Sequence, residues 1–260
     1  MDLHLTGKTA LITGASQGIG EHVAETLAAE GVNLHLTARN AARLEALKAR
    51  IGARCAVRVD IHPLDLTADG APEQLGEAVG APDILVNNAG AIPSGDLWDV
   101  DQESWKTGWD LKVFGYIAMC RIFYRKMKQA GGGTIINIIG NGGEVLDPKY
   151  IAGASGNASL MGFTRALGAY SLDDNIRVIG VNPGPVDTDR IYAMLRKFAQ
   201  IELGNPEEYR TLQTRYPLGR PAHRHEISDL IAFLASSRSG YTTGTIITVD
   251  GGIASRRSLV

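Results

Sequence analysis

Residues 8–20 read Lys8-Thr9-Ala10-Leu11-Ile12-Thr13-Gly14-Ala15-Ser16-Gln17-Gly18-Ile19-Gly20, and this stretch decides the fold. An apolar run gives way to a glycine-spaced turn, and the turn opens into an amphipathic pattern over Ile19–Glu30. A continuous apolar run of this length is what a strand covered on both faces looks like. Gly14 permits a tight turn, while Gly18 and Gly20 leave no side chain where a ligand and a helix must come close. Backbone N–H groups at the helix start then point outwards at the positive end of its dipole, a seat for a pyrophosphate. Three glycines alone carry little weight. Their place between a strand and a helix, in the first such unit of the chain, gives them meaning.

Outward from this unit the same alternation repeats. Further strands are predicted over Asn33–Thr37, Cys55–Asp60, Ile84–Asn87, Thr134–Ile139, Arg177–Val181 and Thr245–Val249, following the first at Lys8–Thr13. Helical patterns lie between them at Ala41–Ile51, Pro72–Val79, Gln102–Gln129, Ile151–Tyr170 and Glu226–Ser236. Strand–helix alternation implies parallel pairing through right-handed crossovers. The expected fold is therefore α/β: a single-domain, Rossmann-like, doubly wound parallel sheet of about seven strands with helices on both faces, over residues 1–260. Only between Pro185 and Pro217 does the alternation lapse. Residues 186–218 read either as a substrate lid or as a surface helical pair.

Composition narrows the partners. Apolar content of 44% and charged content of 21% are ordinary for a soluble globular protein. A net charge of -2 gives no reason to expect nucleic acid or a membrane surface. The six histidines are scattered, with only His223 and His225 sharing a predicted loop, so no metal site is expected. Cys55 falls in a predicted strand and Cys120 in an apolar helix, which reads as two reduced core thiols. The start of the chain lacks the basic and apolar regions of a signal peptide, and no apolar run approaches the roughly 18 residues of a membrane span. A cytoplasmic location is expected.

The end of the second strand selects the cofactor. NAD-binding chains usually carry an acid about 20 residues beyond the glycines, where it accepts from the ribose 2′-hydroxyl. Here the stretch reads Thr37-Ala38-Arg39-Asn40. With no carboxylate present, the Arg39 guanidinium offers its fork of donors to a 2′-phosphate, and NADP is preferred over NAD. Asp65-Leu66, Asn87-Asn88-Ala89-Gly90 and Asn182-Pro183-Gly184-Pro185-Val186-Asp187-Thr188 follow later strands, at the sheet ends where ligands bind.

Taken together, the chain resembles the classical short-chain dehydrogenase/reductase family over nearly its full length. Gly14, Gly18 and Gly20, Asn87-Asn88-Ala89-Gly90, Asn182-Pro183-Gly184 and Val249-Asp250-Gly251-Gly252 match that family's pattern in order and spacing. The resemblance implies cofactor contacts from Gly14, Ser16, Gln17, Ile19, Arg39 and Asp65. It implies further contacts from Leu66, Asn87, Ala89 and Gly90, and from Pro183, Gly184, Val186 and Thr188. It also implies a small-molecule substrate and a homodimer or homotetramer built through the two long helices.

At the proton-transfer positions the chain departs from the pattern. Asn137-Ile138 and Ala158-Ser159-Leu160-Met161-Gly162-Phe163-Thr164 fix the alignment without a gap. The family's serine, tyrosine and lysine then fall on Gly140, Gly153 and Asn157, and its supporting asparagine on Lys112. Glycine has no proton to give, and losing a positioned acid costs roughly 10²–10⁴ in rate. The Asn157 amide can still hydrogen-bond a ribose. Tyr150, one helical turn before Gly153, and Lys112 are the candidate substitutes. Their bland alternatives are a packed loop aromatic and a structural hydrogen bond. Asn141 and Glu144 are other polar groups on the rim.

The glycines at 153 and 156, with Gly140, Gly142 and Gly143 opposite, point to a pocket widened for a bulky substrate. Trp105 and Trp109, at i,i+4 spacing, read as core or subunit interface. Three functions follow. The first is an NADP(H)-binding oxidoreductase acting on a carbonyl or alcohol by a non-standard proton route. The second is a catalytically inactive NADP-binding homologue, a sensor or non-catalytic subunit. The third is non-redox proton abstraction in the same pocket.

Overall fold

Seven apolar runs become the strands β1 (Thr9–Thr13), β2 (Asn33–Ala38), β3 (Val59–Pro63), β4 (Ile84–Asn87), β5 (Gly133–Ile138), β6 (Ile176–Pro183) and β7 (Thr245–Val249) in a computed structural model that describes residues 1–256. All pair in parallel, in the order β3-β2-β1-β4-β5-β6-β7. The order reverses direction between β1 and β4. A crevice therefore opens at the carboxyl ends of those two strands, where the flanking crossovers diverge to opposite faces.

The crossovers are α1 (Gly18–Ala29), α2 (Ala41–Gly52), α3 (Ala71–Val79), α4 (Gln102–Trp109), α5 (Gly115–Ala130), α6 (Gly142–Val145) and α7 (Ile151–Gly168). After β6 come α8 (Asp189–Leu203), α9 (Tyr209–Gln213) and α10 (Arg224–Ala235). One face of the sheet buries Val23, Leu27, Leu44, Leu47, Ile227 and Ile231 against Ile12, Leu34 and Val86. The other buries Leu75, Met119, Phe123 and Met127 against Leu11, Leu85 and Val178. Each such side chain contributes about 1.5–3 kcal/mol when fully removed from water. Covering both faces explains why the strands lack polar alternation.

Two buried polar devices fix the geometry. The Asn87 amide donates to Asn137 Oδ1 at 2.9 Å, and the Asn137 amide to Thr164 Oγ1 at 2.9 Å, tying β4, β5 and α7 together. Arg177 in β6 donates to the carbonyls of Leu234, Ala235, Ser236 and Ser239 and to Thr134 Oγ1. It satisfies orphan carbonyls at and beyond the end of α10 that no following turn of helix can reach.

Some predicted boundaries move. The third strand, expected at Cys55–Asp60, runs Val59–Pro63 because its ladder to β2 pairs Leu34 with Val59 and Ala38 with Pro63. The Cys55 N–H still donates to the Ile51 carbonyl, so Cys55 closes α2 and is only partly buried; Cys120 is fully buried. The helix expected over Gln102–Gln129 is continuous but contains a π-helical turn at Asp110–Phe114 between α4 and α5. Among the described residues, no helix is long and apolar enough to cross a membrane. The predicted range of the domain ends at 260, four residues beyond the described ones.

Candidate functional site

The crevice is a cleft of about 960 Å³, and its floor is the glycine turn after β1. Gly14 and Gly18 have φ of 65° and 62°, conformations that side chains other than glycine rarely adopt. A Cβ on Gly14 would stand 2.9 Å from Ala89 Cα, so the end of β4 packs directly on the turn. The Asn88 amide holds that packing by donating to the carbonyls of Thr13 and Gly14, both at 3.1 Å. Gly20 serves the same contact, since its Cβ would lie 2.4 Å from Asn88 Nδ2.

The N-terminus of α1 has no side-chain cap. Its capping residue, Gln17, instead accepts from the Arg43 guanidinium. By contrast Asn40 caps α2, accepting from the Arg43 N–H at 3.0 Å. The first N–H groups of α1 are thus left facing the cleft with the helix dipole behind them, as an anionic ligand requires.

At the outer end of this floor, Arg39 extends from the end of β2 with its side chain 72% exposed, 3.9 Å from Asp65. Thr67 donates its N–H and hydroxyl to Asp65, and these bonds, with Arg39 nearby, hold its carboxyl below the ordinary 3.8. An ion pair this exposed contributes little to stability. It leaves the guanidinium available.

The inner end is built on residues 139–142, just past β5. The Lys112 ammonium, from the π-helical turn, donates to the Ile139 carbonyl. Asn157 in α7 donates to the Gly140 carbonyl at 3.4 Å, and its Oδ1 is buried without a partner. The Tyr150 ring lies along Gly142, whose Cβ would meet it at 3.2 Å. Lys112, Asn157 and Tyr150 therefore converge on one short segment of backbone. Burial, with the Arg190 charge nearby, pushes the Lys112 ammonium down to about 7.

Tyr150 caps α7, and its ring fills the space above Gly153: a Cβ there would lie 2.0 Å from Tyr150 Cζ. This overturns the widened pocket expected from the glycines. Gly153 is small because Tyr150 stands on it. A Cβ on Gly156 would come within 3.1 Å of Trp109 Nε1 and Val113, and one on Gly143 within 2.8 Å of the Ala158 backbone nitrogen. Trp109 donates to the Ala152 carbonyl at 2.9 Å and packs with Trp105 about Ile92 and Val100. Close packing, not vacancy, explains these glycines.

The sequence-derived residues largely share the cleft. Gly14, Ser16, Gln17, Gly18 and Ile19 line its floor, with Arg39, Asp65 and Leu66 beside them. Ala89, Gly90, Pro183, Gly184, Val186 and Thr188 line its walls, and Lys112, Gly140, Tyr150 and Asn157 its inner end. Asn87 does not reach it. Its side chain is turned into the core onto Asn137 and Cys120, because successive residues along β4 point to opposite sides. Gly20 is buried behind Asn88. Glu144 is engaged by Asn182 and Thr248, and Asn141 by Asp250. Asn88, quoted with the motif after β4, also lines the cleft, and sequence reasoning missed the lining residues Arg43 and Arg190. Arg43 had a signal, lying in the first turn of α2, four residues after Arg39. Arg190 had none, since only the folded α8 brings it to the cleft. His35 and His62 also stack in the fold, Nδ1 to Nε2 at 3.0 Å. Among the described residues no three His, Cys, Asp or Glu side chains form a metal-sized group.

This geometry has close counterparts. A family model described as enoyl-(acyl carrier protein) reductase matches residues 14–254. The oxidoreductase UcpA of Salmonella typhimurium is 35% identical, with the match covering 95% of each chain. L-sorbose reductase from Gluconobacter frateurii, solved with NADPH and L-sorbose, superposes with a TM-score of 0.90 at 30% identity, covering 99% of this chain and 100% of that one. A 7α-hydroxysteroid dehydrogenase solved with NADH and 7-oxo glycochenodeoxycholic acid gives a TM-score of 0.85 at 26% identity, covering 96% of both.

Proposed function

The chain belongs to the classical short-chain dehydrogenase/reductase family, and on that premise we propose that it is an NADP(H)-dependent oxidoreductase of a carbonyl or alcohol substrate. Its proton route is non-standard, running through Tyr150 and Lys112. One observation carries the reading: the Tyr150 ring occupies the volume that a side chain at 153 would fill. A phenol thus stands beside the position of the family's tyrosine, one helical turn earlier, with its hydroxyl closer to the helix than one carried at 153 would be.

The cleft suits a dinucleotide on its own evidence. The uncapped start of α1 fits a pyrophosphate, and the unpartnered Asn157 Oδ1 fits a ribose hydroxyl. Relatives bind NADPH in one case and NADH in another, so the choice rests on the residues after β2. Arg39 and Arg43 both line that end, and two guanidiniums favour a 2′-phosphate. Bound there, the cofactor would supply hydride chemistry at its nicotinamide. The protein's share is to orient the carbonyl and manage the proton. The Tyr150 hydroxyl holds the proton that the developing alkoxide takes. Lys112, poised near 7, supplies positive charge at the inner end. Residues 186–218 act as the lid, and α5 and α7 as the homodimer or homotetramer surface.

A second reading, an inactive NADP-binding homologue serving as sensor or non-catalytic subunit, draws on the Lys112 ammonium being turned onto the Ile139 carbonyl. One experiment separates the two: a screen of NADPH oxidation against a panel of ketones and aldehydes. Turnover that Tyr150→Phe slows by at least about tenfold supports the proton route. An unaffected rate removes Tyr150 from it, and NADPH binding without turnover on any substrate favours the second reading.

A further inference from the structure

Arg190 lies in the first turn of α8, on the lid side of the cleft. Its Nη2 stands 3.4 Å from the Ile92 carbonyl and 3.5 Å from the Tyr150 hydroxyl. Both contacts are at the outer limit of hydrogen bonding, and they use one nitrogen of a group with five N–H donors. No ion pair among the described residues involves Arg190 or Lys112. The inner end therefore holds Arg190 and Lys112 with no carboxylate ion-paired to either among the described residues. Of the carboxylates lining the cleft nearby, Asp147 accepts from the Lys149 N–H at 2.8 Å, and Asp189 forms no ion pair with its neighbour. The cleft also has apolar lining from Val145, Ile191, Met194 and Phe198, alongside the polar Arg215 and Tyr216.

Arg190 is exposed and spends one nitrogen on two long contacts, so the rest of its fork is free for an incoming anion, beside a lysine that burial penalises. We propose that Arg190, with Lys112 behind it, recognises a carboxylate on the substrate. The substrate class is then a 2-oxo acid, or its 2-hydroxy counterpart, with an apolar tail. The 3.5 Å between the guanidinium and the Tyr150 hydroxyl sets the spacing: a carboxylate held by Arg190 brings the adjacent carbonyl to the phenol. The planar, forked guanidinium matches a carboxylate, while the apolar lining receives the tail. This assignment rests on the oxidoreductase reading for the identity of the reacting carbon, and on Arg190 alone for the anion.

Calorimetric titration tests it, using 4-methyl-2-oxopentanoate and its methyl ester. Each is added to protein saturated with NADP⁺, where no reduction follows, and to protein without dinucleotide. The acid is expected to bind at least about tenfold more tightly than the ester. Arg190→Gln removes that preference with NADP⁺ affinity unchanged, and Arg190→Lys retains part of it. Thermal melts of both variants report whether they fold. Equal binding of acid and ester, or a preference that survives Arg190→Gln, overturns the carboxylate site. If the preference depends on Arg190 but NADP⁺ shows no affinity, the carboxylate site stands and the dinucleotide reading falls.

Discussion

Lys112 shows how one residue can carry a cost that its surroundings impose. An ordinary lysine titrates at 10.5, but here burial, with Arg190 nearby, brings the ammonium to about 7. Between those values the unfolded chain binds one more proton than the folded chain. Stability therefore climbs as pH rises from about 7 towards 10.5, and the full penalty persists below 7. Lys112→Met removes the penalty and leaves the Ile139 carbonyl unpaired, which costs about 1–3 kcal/mol at any pH. Relative to wild type, the variant should be favoured most near pH 6.5 and progressively less towards pH 9.5. The difference between the two pH values is on the order of a few kcal/mol. Chemical denaturation at both values measures it, and a pH-independent difference would show that the ammonium is not buried as the fold requires. The chain order names Lys112 as a departure from the family pattern. Its depressed basicity comes from neighbours that only folding supplies.

At the scale of elements, the start of α7 is where local preference and packing conflict. Glycine in a helix interior is about 1 kcal/mol worse than alanine, yet Gly153 sits there because the Tyr150 ring needs its surface. Gly153→Ala forces the ring aside and should destabilise the protein by about 1–3 kcal/mol. In a Tyr150→Ala background the same change no longer meets the ring and should become stabilising by up to about 1 kcal/mol. A four-member cycle by urea unfolding reads the sign reversal, and additive effects would place the ring elsewhere. Sequence periodicity predicted α4 and α5 as one helix, and they are continuous. The π-helical turn at Asp110–Phe114 was not legible, because residue spacing does not encode which carbonyl each N–H finds. β3 was displaced for a related reason. Cys55, Ala56 and Val57 are apolar enough to read as a strand, but the edge ladder takes Val59–Pro63, whose polar residues an edge position tolerates.

Over the whole molecule, the reversal of strand order beside β1 places the Arg39 end and the Tyr150 end of the cleft on one continuous floor. Binding at that floor stabilises the folded chain in proportion to affinity. NADPH should therefore raise the melting temperature more than NADH at equal concentration, and Arg39→Ala should erase most of the difference. Equal shifts in the wild type would remove the case for a 2′-phosphate. What the sequence determined by itself was the alternation of strands and helices, the glycine turn and the arginine that follows β2. Those features depend on neighbours in the chain, and hydrophobic period and turn chemistry express them directly. Only tertiary structure decided that Asn87 faces the core, that the Tyr150 ring stands on Gly153, and that Arg190 meets Tyr150 across the cleft. Those outcomes depend on which surfaces are brought together when the sheet and its crossovers pack, and no spacing along the chain records that.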